Sequence, residues 1–265
     1  MSSITTDKGI LHYEVFGKGK PVIFLHGWLG SWGLWQETMA AIGKTNRAYA
    51  LDFWGFGESN DKLTSYHVQD FVDLVSQFMD QMGIQKAPLV GHSMGGTVSL
   101  MAALNDPGRI QKVVVIGSPI EGKSLSFPLR LAGRRRIAVL LFRNFSFFRR
   151  SLKKVSPLIC KNPLFPDIID HDLSKTNLES FLNSIHSLNQ VDLKPHLEKI
   201  NIPVLGMYGK RDNIVSPSQY KPLLHGISHS QIEIFSKSGH FIMLEEPKLF
   251  IQKLHEFLNQ ETDLK

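Results

Sequence analysis

Short apolar runs alternate with longer stretches of helical periodicity along most of the 265-residue chain. The apolar runs are of strand length and rich in β-branched or aliphatic residues, at 21–25, 47–51, 87–90, 110–116, 202–208 and 231–235. Helical periodicity predicts helices at 32–42, 66–82, 94–105, 217–226 and 247–259. This alternation predicts an α/β fold, with a mainly parallel central sheet and helices on both faces. Residues 10–16 fit an additional antiparallel strand.

The alternation breaks once. Residues 119–190 show only helical and loop patterns, and strand–helix alternation resumes at Asn201. We therefore expect a core formed by residues 1–118 and 191–265, with a helical cap of residues 119–190 inserted between two strands of one sheet. A separate domain is the less economical interpretation, because the chain returns to the same pattern on both sides of the segment.

Composition changes this picture little. With 42% hydrophobic and 20% charged residues, the sequence is typical of a globular protein. The first residues contain no apolar stretch of signal-peptide length, and a cytoplasmic location is expected. The single cysteine, Cys160, has no disulfide partner in the chain and is expected to be a packing residue. Neither a metal nor a cofactor is expected.

Positive charge is concentrated in the predicted cap. Residues 121–161 hold eleven Lys or Arg and one acid, a net +10, whereas the whole chain carries +6 and the remainder therefore −4. Within 136–155 the pattern predicts one amphipathic helix, with the basic residues mostly opposite an apolar face of Ile137, Leu140, Leu141, Phe145, Phe148, Leu152 and Val155. The basic face is either a solvated surface, an attractant for anionic substrates, or a weak contact for an anionic membrane surface. Nucleic acid is not expected as a partner, since no binding motif accompanies the charge.

One short motif indicates chemistry. Residues 91–95 read GHSMG, which is a G-x-S-x-G pattern between a predicted strand and a predicted helix. A sharp turn there strains the serine backbone and brings the strand so close to the helix that the flanking positions must be glycine. The turn would expose the Ser93 hydroxyl beside the first N–H groups of the helix, which favour developing negative charge. Ser93 is therefore the candidate nucleophile.

A serine hydroxyl needs a base, and the base needs a group that orients it. Asp212 follows the strand predicted at 202–208, and His240 follows the strand predicted at 231–235. This order of serine, acid and histidine at strand ends predicts a catalytic triad. The alternatives are that Asp212 caps the helix that begins near Ser216, and that His240 is an ordinary loop histidine.

The loop after the first core strand completes the predicted site. The backbone N–H groups of Trp28 and Met94 are the expected oxyanion-hole donors. His26 is interpreted as a structural hydrogen-bonding residue. We expect an apolar pocket near Trp28 and the Met94 side chain, with Leu29, His92 and Phe241 as its substrate-facing residues.

As a set, these motifs resemble the α/β-hydrolase fold superfamily, in its capped serine esterase and lipase-like branch. The matching segments are HGW at 26–28, DFWGFGES at 52–59, GHSMGG at 91–96, YGKRD at 208–212 and GHFIMLEEP at 239–247. The resemblance implies a Ser93, His240 and Asp212 triad, and a structural turn at 52–59 in which Asp52 holds the loop. It also disfavours dehalogenase and epoxide hydrolase activity, because those relatives carry aspartate at the nucleophile position.

The expected function is a serine hydrolase that cleaves a small-molecule carboxylic ester with a sizeable apolar part through an acyl-enzyme. Alternatives that keep the triad are a C–C bond hydrolase, a lactonase or a menaquinone-pathway-type synthase, each acting on a carboxylate that cap arginines would hold. A further alternative is a hydrolase-fold receptor for a small molecule. The sequence leaves the substrate and the oligomeric state open.

Overall fold

A single sheet of nine strands organises the chain in the computed structural model, which describes residues 2–61 and 65–261. The strands are β1 (Ser2–Thr5), β2 (Gly9–Phe16), β3 (Pro21–Leu25), β4 (Arg47–Leu51), β5 (Asn60–Asp61), β6 (Ala87–His92), β7 (Ile110–Ile116), β8 (Val204–Gly209) and β9 (Ser230–Phe235). Their order in the sheet is β1-β2-β4-β3-β6-β7-β8-β9, and β5 pairs with β2. Every pairing in the series β4-β3-β6-β7-β8-β9 is parallel. Strand β2 pairs antiparallel with β1, β4 and β5 at the edge of the sheet.

Helices cover both faces of this sheet. They are α1 (Gln36–Ile42), α2 (Val68–Gln81), α3 (Met94–Asn105), α4 (Phe127–Ala132), α5 (Arg135–Arg143), α6 (Phe145–Val155), α7 (Phe165–Ser174), α8 (Leu178–Gln190), α9 (Tyr220–Gly226), α10 (Ile242–Glu245) and α11 (Pro247–Asn259). Short 3-10 helices lie at Trp32–Trp35, Gly122–Ser124, Ser156–Leu158, Lys194–Lys199 and Pro217–Gln219.

Two apolar cores result, one on each face. Phe71 and Phe78 of α2 pack on one face, and Trp35 before α1 and Phe257 of α11 pack on the other. The central strands are therefore buried on both sides, which explains why their sequences are continuous apolar runs instead of alternating ones. The predicted α/β architecture with a mainly parallel sheet is confirmed.

Between β7 and β8 lies the segment 119–190, in which the described residues form helices α4 to α8 and no strand of the sheet. Its two ends are joined, because Gly122 N donates to Val191 O at 2.7 Å and Leu193 N donates to Ile120 O at 2.9 Å. The buried side chain of Gln219 also accepts from the backbone of Ile120. The chain thus leaves the sheet and returns to it at one place.

The prediction of one amphipathic helix over 136–155 is wrong. The helix is interrupted at Asn144, whose φ of −123° and ψ of 48° are not helical, so that two helices form, α5 and α6. The break shifts the helical phase, so that Leu140 and Val155, expected on the buried face, are 59% and 45% exposed. Asn favours such a position because its side chain competes with the helix for backbone hydrogen bonds.

Candidate active site

Ser93 occupies the single residue between β6 and α3, with φ 52° and ψ −119°. A positive φ is costly for a residue with a β-carbon, and it persists here because the surrounding packing fixes the turn. A β-carbon at Gly91 would collide with the carbonyl oxygen of Gly95, and one at Gly95 would collide with that of Leu25. The G-x-S-x-G spacing therefore follows from the close approach of strand, turn and helix.

His240 and Asp212 are hydrogen-bonded to each other. His240 Nδ1 lies 2.7 Å from Asp212 Oδ2, and both side chains are buried. The other carboxylate oxygen, Oδ1, accepts from the backbone N–H groups of Ile214 and Val215 at 2.8 and 2.9 Å. Asp212 thus fastens the turn after β8 and still presents one oxygen to the imidazole. It does not cap the helix that follows, whose N-cap residue is Ser216.

The loop that carries His240 is held by two acids that the sequence analysis did not single out. The Gly239 N–H donates to Glu245 Oε2 at 2.6 Å, and the Ser238 hydroxyl donates to Glu246 Oε2 at 2.5 Å. Both acids lie within the GHFIMLEEP segment, so their position next to the histidine was the available signal. They hold the two residues that directly precede His240.

Gly117, which directly follows β7, also adjoins the pair and was missed. It has a φ of +55°, and a β-carbon there would lie 3.0 Å from His240 Nδ1 and 3.2 Å from Asp212 Oδ2. Only a residue without a side chain leaves room for the hydrogen bond between the imidazole and the carboxylate. A glycine immediately after a buried strand was the signal in the sequence.

Ser93 and His240 line one cavity of about 110 Å³, together with all three predicted pocket residues, Leu29, His92 and Phe241. The remaining lining residues are Trp28, Leu129, Leu152, Ile159, Phe165, Ile169 and Ile214. The described hydrogen bonds include none from the Ser93 hydroxyl, so the structure brings Ser93 and His240 to the same cavity without joining them. The Met94 side chain, expected near the pocket, is instead buried in the core.

The loop 26–30 lies directly against the serine. A β-carbon at Gly27 would lie 3.0 Å from the Ser93 Cβ, and the next residue is Trp28. Among the described backbone hydrogen bonds, neither the Trp28 N–H nor the Met94 N–H donates one. Leu29, with a φ of 58°, is a second strained residue in this wall of the cavity.

His26 and Asp52 have structural hydrogen bonds, as interpreted from the sequence. His26 Nδ1 donates to Gly27 O at 2.7 Å, and its Nε2 accepts from Phe53 N at 2.9 Å. Burial lowers the pKa of His26 and keeps the imidazole neutral for these two bonds. The Asp52 carboxylate accepts from the backbone of Trp32 and Glu58 and holds the turn at 52–59.

The lining of the cavity is mostly apolar and carries little charge. Its described lining includes no Lys, Arg, Asp or Glu. The described residues also contain no group of three or more His, Cys, Asp or Glu placed to hold a metal ion. Burial, which is the main cause, and the neighbouring His240 hold the pKa of His92 well below that of an ordinary imidazole. What remains is a hydroxyl, an imidazole paired with a carboxylate, and an apolar wall, which are the components of nucleophilic acyl transfer.

Comparisons with known proteins identify the family of this fold. Residues 20–247 match the family model of the alpha/beta hydrolase fold, and the chain belongs to that family. It is 25% identical over 267 residues to the pimeloyl-[acyl-carrier protein] methyl ester esterase of Vibrio atlanticus (strain LGP32), covering 93% of this chain and 97% of that protein. It is 28% identical over 275 residues to the 2-hydroxy-6-oxo-6-phenylhexa-2,4-dienoate hydrolase of Comamonas testosteroni, covering 95% and 92%.

Solved structures give the same fold. The crystal structure of a hydrolase from Pseudomonas aeruginosa PA01 superposes with a TM-score of 0.86 at 21% identity, over 98% of each chain. The chain is thus an enzyme of the hydrolase class, with esterases among its relatives. Within the described residues, no helix combines the length and apolar character needed to cross a membrane.

Proposed function

We propose that the chain is a serine hydrolase that cleaves a carboxylic ester through a covalent acyl-enzyme on Ser93. The observation that carries the proposal is the hydrogen bond of 2.7 Å between His240 Nδ1 and Asp212 Oδ2, at a cavity that Ser93 also lines. With Nδ1 engaged by the carboxylate, the free Nε2 of His240 is the atom that accepts the proton of the serine hydroxyl.

The reaction then proceeds in two halves. Ser93 Oγ attacks the ester carbonyl while its proton passes to His240 Nε2, and the Trp28 and Met94 N–H groups donate to the developing oxyanion. The tetrahedral species collapses, the C–O bond breaks, and His240 returns the proton to the departing alcohol. Water, deprotonated by the same imidazole, attacks the acyl-enzyme and releases the acid and the serine. Asp212 orients the imidazole and stabilises its cationic form.

The substrate we propose is an ester that is neutral near the scissile bond and apolar along its acyl part. The cavity walls are formed by Leu129, Leu152 and Phe165 from the segment 119–190 and by Phe241 from the core. The absence of Lys and Arg from the described lining argues against the carboxylate-holding alternatives. A neutral methyl ester at the end of an acyl chain, as in the name of the Vibrio relatives, fits such walls. In this proposal the segment 119–190 is a cap over the site.

Hydrolysis of p-nitrophenyl esters from acetate to palmitate tests the proposal. Wild-type protein is expected to show a rate maximum at one chain length, and Ser93→Ala to lose the activity by at least about a thousandfold. Ser146→Ala, an exposed serine on α6, is the matched control and is expected to keep the wild-type rate. A fluorophosphonate should label wild type at Ser93 alone. Hydrolysis that survives in Ser93→Ala, or labelling elsewhere, would refute the proposed nucleophile.

A further inference from the structure

Helices α5 and α6 each have an inner and an outer side, and the inner sides converge on one ring. Phe142 of α5 and Phe148 of α6 both contact Phe181 of α8 edge-on, with ring centroids 5.2 and 6.1 Å apart. Phe145 stacks on Phe142 with centroids 4.7 Å apart. Phe181 in turn packs against Trp28 of the cavity, at 4.7 Å. Because Phe142 of α5 and Phe148 of α6 face the same ring, the opposite sides of both helices face away from it.

Two cations of α6 strengthen this attachment. Arg149 Nε lies 2.5 Å from Asp170 Oδ1 of α7, and Lys153 Nζ lies 2.8 Å from Asp167 Oδ1. These pairs bind α6 to α7 and balance the charges of two of the eleven basic residues. Four other cations of α5 and α6 lie on the outer side and have no such carboxylate partner among the described residues.

We define the outer surface of α5 and α6 by the exposed side chains Arg136, Leu140, Arg143, Phe147, Arg150 and Lys154. Within the described part of the chain, none of its four cations lies within ion-pair distance of a carboxylate. Two large apolar side chains lie among them, Leu140 at 59% and Phe147 at 69% exposure. Leu158, 82% exposed, continues the same helical row beyond α6.

We propose that the outer surface of α5 and α6 is an interfacial docking surface for an anionic lipid bilayer. Long Arg and Lys side chains can reach the phosphates of the headgroups, while Phe147 and Leu140 enter the apolar boundary beneath them. A bilayer interface can accommodate cations and apolar side chains together without matching their shape. Insertion removes the apolar side chains from water, which favours binding.

Charge complementarity also sets the direction of approach. Residues 121–161 carry +10 and the remainder of the chain −4, so the attraction of an anionic surface is greatest for the segment that contains α5 and α6. Leu152, on the inner side of α6, lines the cavity that contains Ser93. The use of this docking surface for capturing lipid-derived esters rests on the proposed function, whereas the binding itself does not.

Co-sedimentation of the Ser93→Ala protein with vesicles tests the binding without any hydrolysis. We expect retention on phosphatidylcholine vesicles that contain phosphatidylglycerol, little retention on pure phosphatidylcholine, and a decline as salt is raised. The triple variant Arg143→Gln, Arg150→Gln, Lys154→Gln should weaken retention by at least about tenfold, since each cation near the surface contributes measurably. Phe147→Ser should weaken it without any change of charge.

The matched control removes the same charge elsewhere. Lys18, Lys44 and Lys86 are exposed cations outside the segment 119–190, and their triple change to Gln should leave retention within about twofold. None of the substituted residues lines the cavity, so each triple change made in the wild-type background should keep its rate on a soluble ester. The proposal would be overturned if the protein were retained equally on neutral and anionic vesicles, or if the control variant lost as much retention as the Arg143, Arg150 and Lys154 variant. Binding to a soluble acidic protein but to neither kind of vesicle would also overturn it. Failure of ester hydrolysis would leave the vesicle result unaffected.

Discussion

His92 and His240 lie side by side, with ring centroids 4.6 Å apart and His92 Nε2 3.1 Å from the carbonyl oxygen of His240. Burial holds the pKa of His92 well below that of an ordinary imidazole, so the ring is neutral and Nε2 carries the proton donated to that carbonyl. This bond ties the residue before Ser93 to the backbone of the proposed base. We infer that His92 is a positioning residue for His240.

The first prediction follows from that bond. His92→Phe keeps a ring but leaves the carbonyl of His240 without its donor, and we expect kcat to fall about tenfold with KM changed by less than about twofold. His92→Gln, which can place an N–H near the former Nε2, should recover most of kcat. Steady-state kinetics on a p-nitrophenyl ester measures both. Equal kcat in the Phe and Gln variants would show that the hydrogen bond is not the cause.

The second prediction concerns the space beside the imidazole. Gly117→Ala places a β-carbon 3.0 Å from His240 Nδ1, which should displace the ring from Asp212 and lower kcat/KM by about tenfold or more. The substitution is also strained, because φ at this position is +55°.

Gly83→Ala is the control for that strain. Its φ is +65°, and a β-carbon there meets nothing within 4 Å. Both variants should lose stability in urea denaturation, by about 1 kcal/mol from the backbone strain alone. Only Gly117→Ala should lose activity beyond its loss of folded protein. A comparable activity loss in Gly83→Ala would attribute the effect to stability.

Much of the fold could be predicted because its signals are local. Strands β3, β4 and β7 and helices α3 and α11 have the predicted bounds, since long apolar or periodic runs identify such elements well. The edge strands β1 and β5 were missed. They are short and partly polar, and their pairing with β2 depends on a neighbour that is distant in sequence or separated by turns.

The site divides in the same way. The meeting of Asp212 and His240 at the cavity that Ser93 lines could be predicted, because parallel strands bring their carboxyl ends to one edge of the sheet. Gly117 and Glu245 were not singled out, because the sequence shows where they lie, after a buried strand and near His240, but not the distances that give them their contacts. The ion pair between Arg149 and Asp170 was missed for that reason, and it turns a residue expected on a solvated face toward α7.

The third prediction concerns Cys160, which is buried and has no disulfide partner. Desolvation by burial raises the pKa of its thiol to about 12, so the reactive thiolate is scarce at neutral pH. We expect native protein to resist Ellman's reagent and iodoacetamide at about pH 8. The thiol should become reactive on unfolding in urea, which is the internal control. Rapid modification of native protein, or loss of ester hydrolysis on such treatment, would contradict this environment.

The fourth prediction concerns Asp172, which joins α7 to the loop that precedes α1. Its Oδ1 accepts from the Ser31 hydroxyl at 2.7 Å and lies 3.3 Å from His171 Nδ1, and the residue is 4% exposed. Desolvation is the main cause that raises the pKa of Asp172 to about 6, and the nearby Asp52 carboxylate adds to it. The bonds from Ser31 and His171 act in the opposite direction but do not cancel the burial.

Because the pKa is higher in the folded state, the folded protein holds this proton more tightly than the unfolded chain does. The Asp172 contribution to the free energy of unfolding is therefore most favourable below about pH 4 and decreases as pH rises to about 6. Asp172→Asn keeps an acceptor for Ser31 and removes the buried charge. It should be more stable than wild type by about 1 to 3 kcal/mol near pH 7.5, with the advantage shrinking at lower pH. Urea denaturation across this range measures the difference, and Asp106→Asn, at an exposed acid, should show no such trend. An advantage of Asp172→Asn that does not vary with pH would mean that the carboxyl does not titrate in this window.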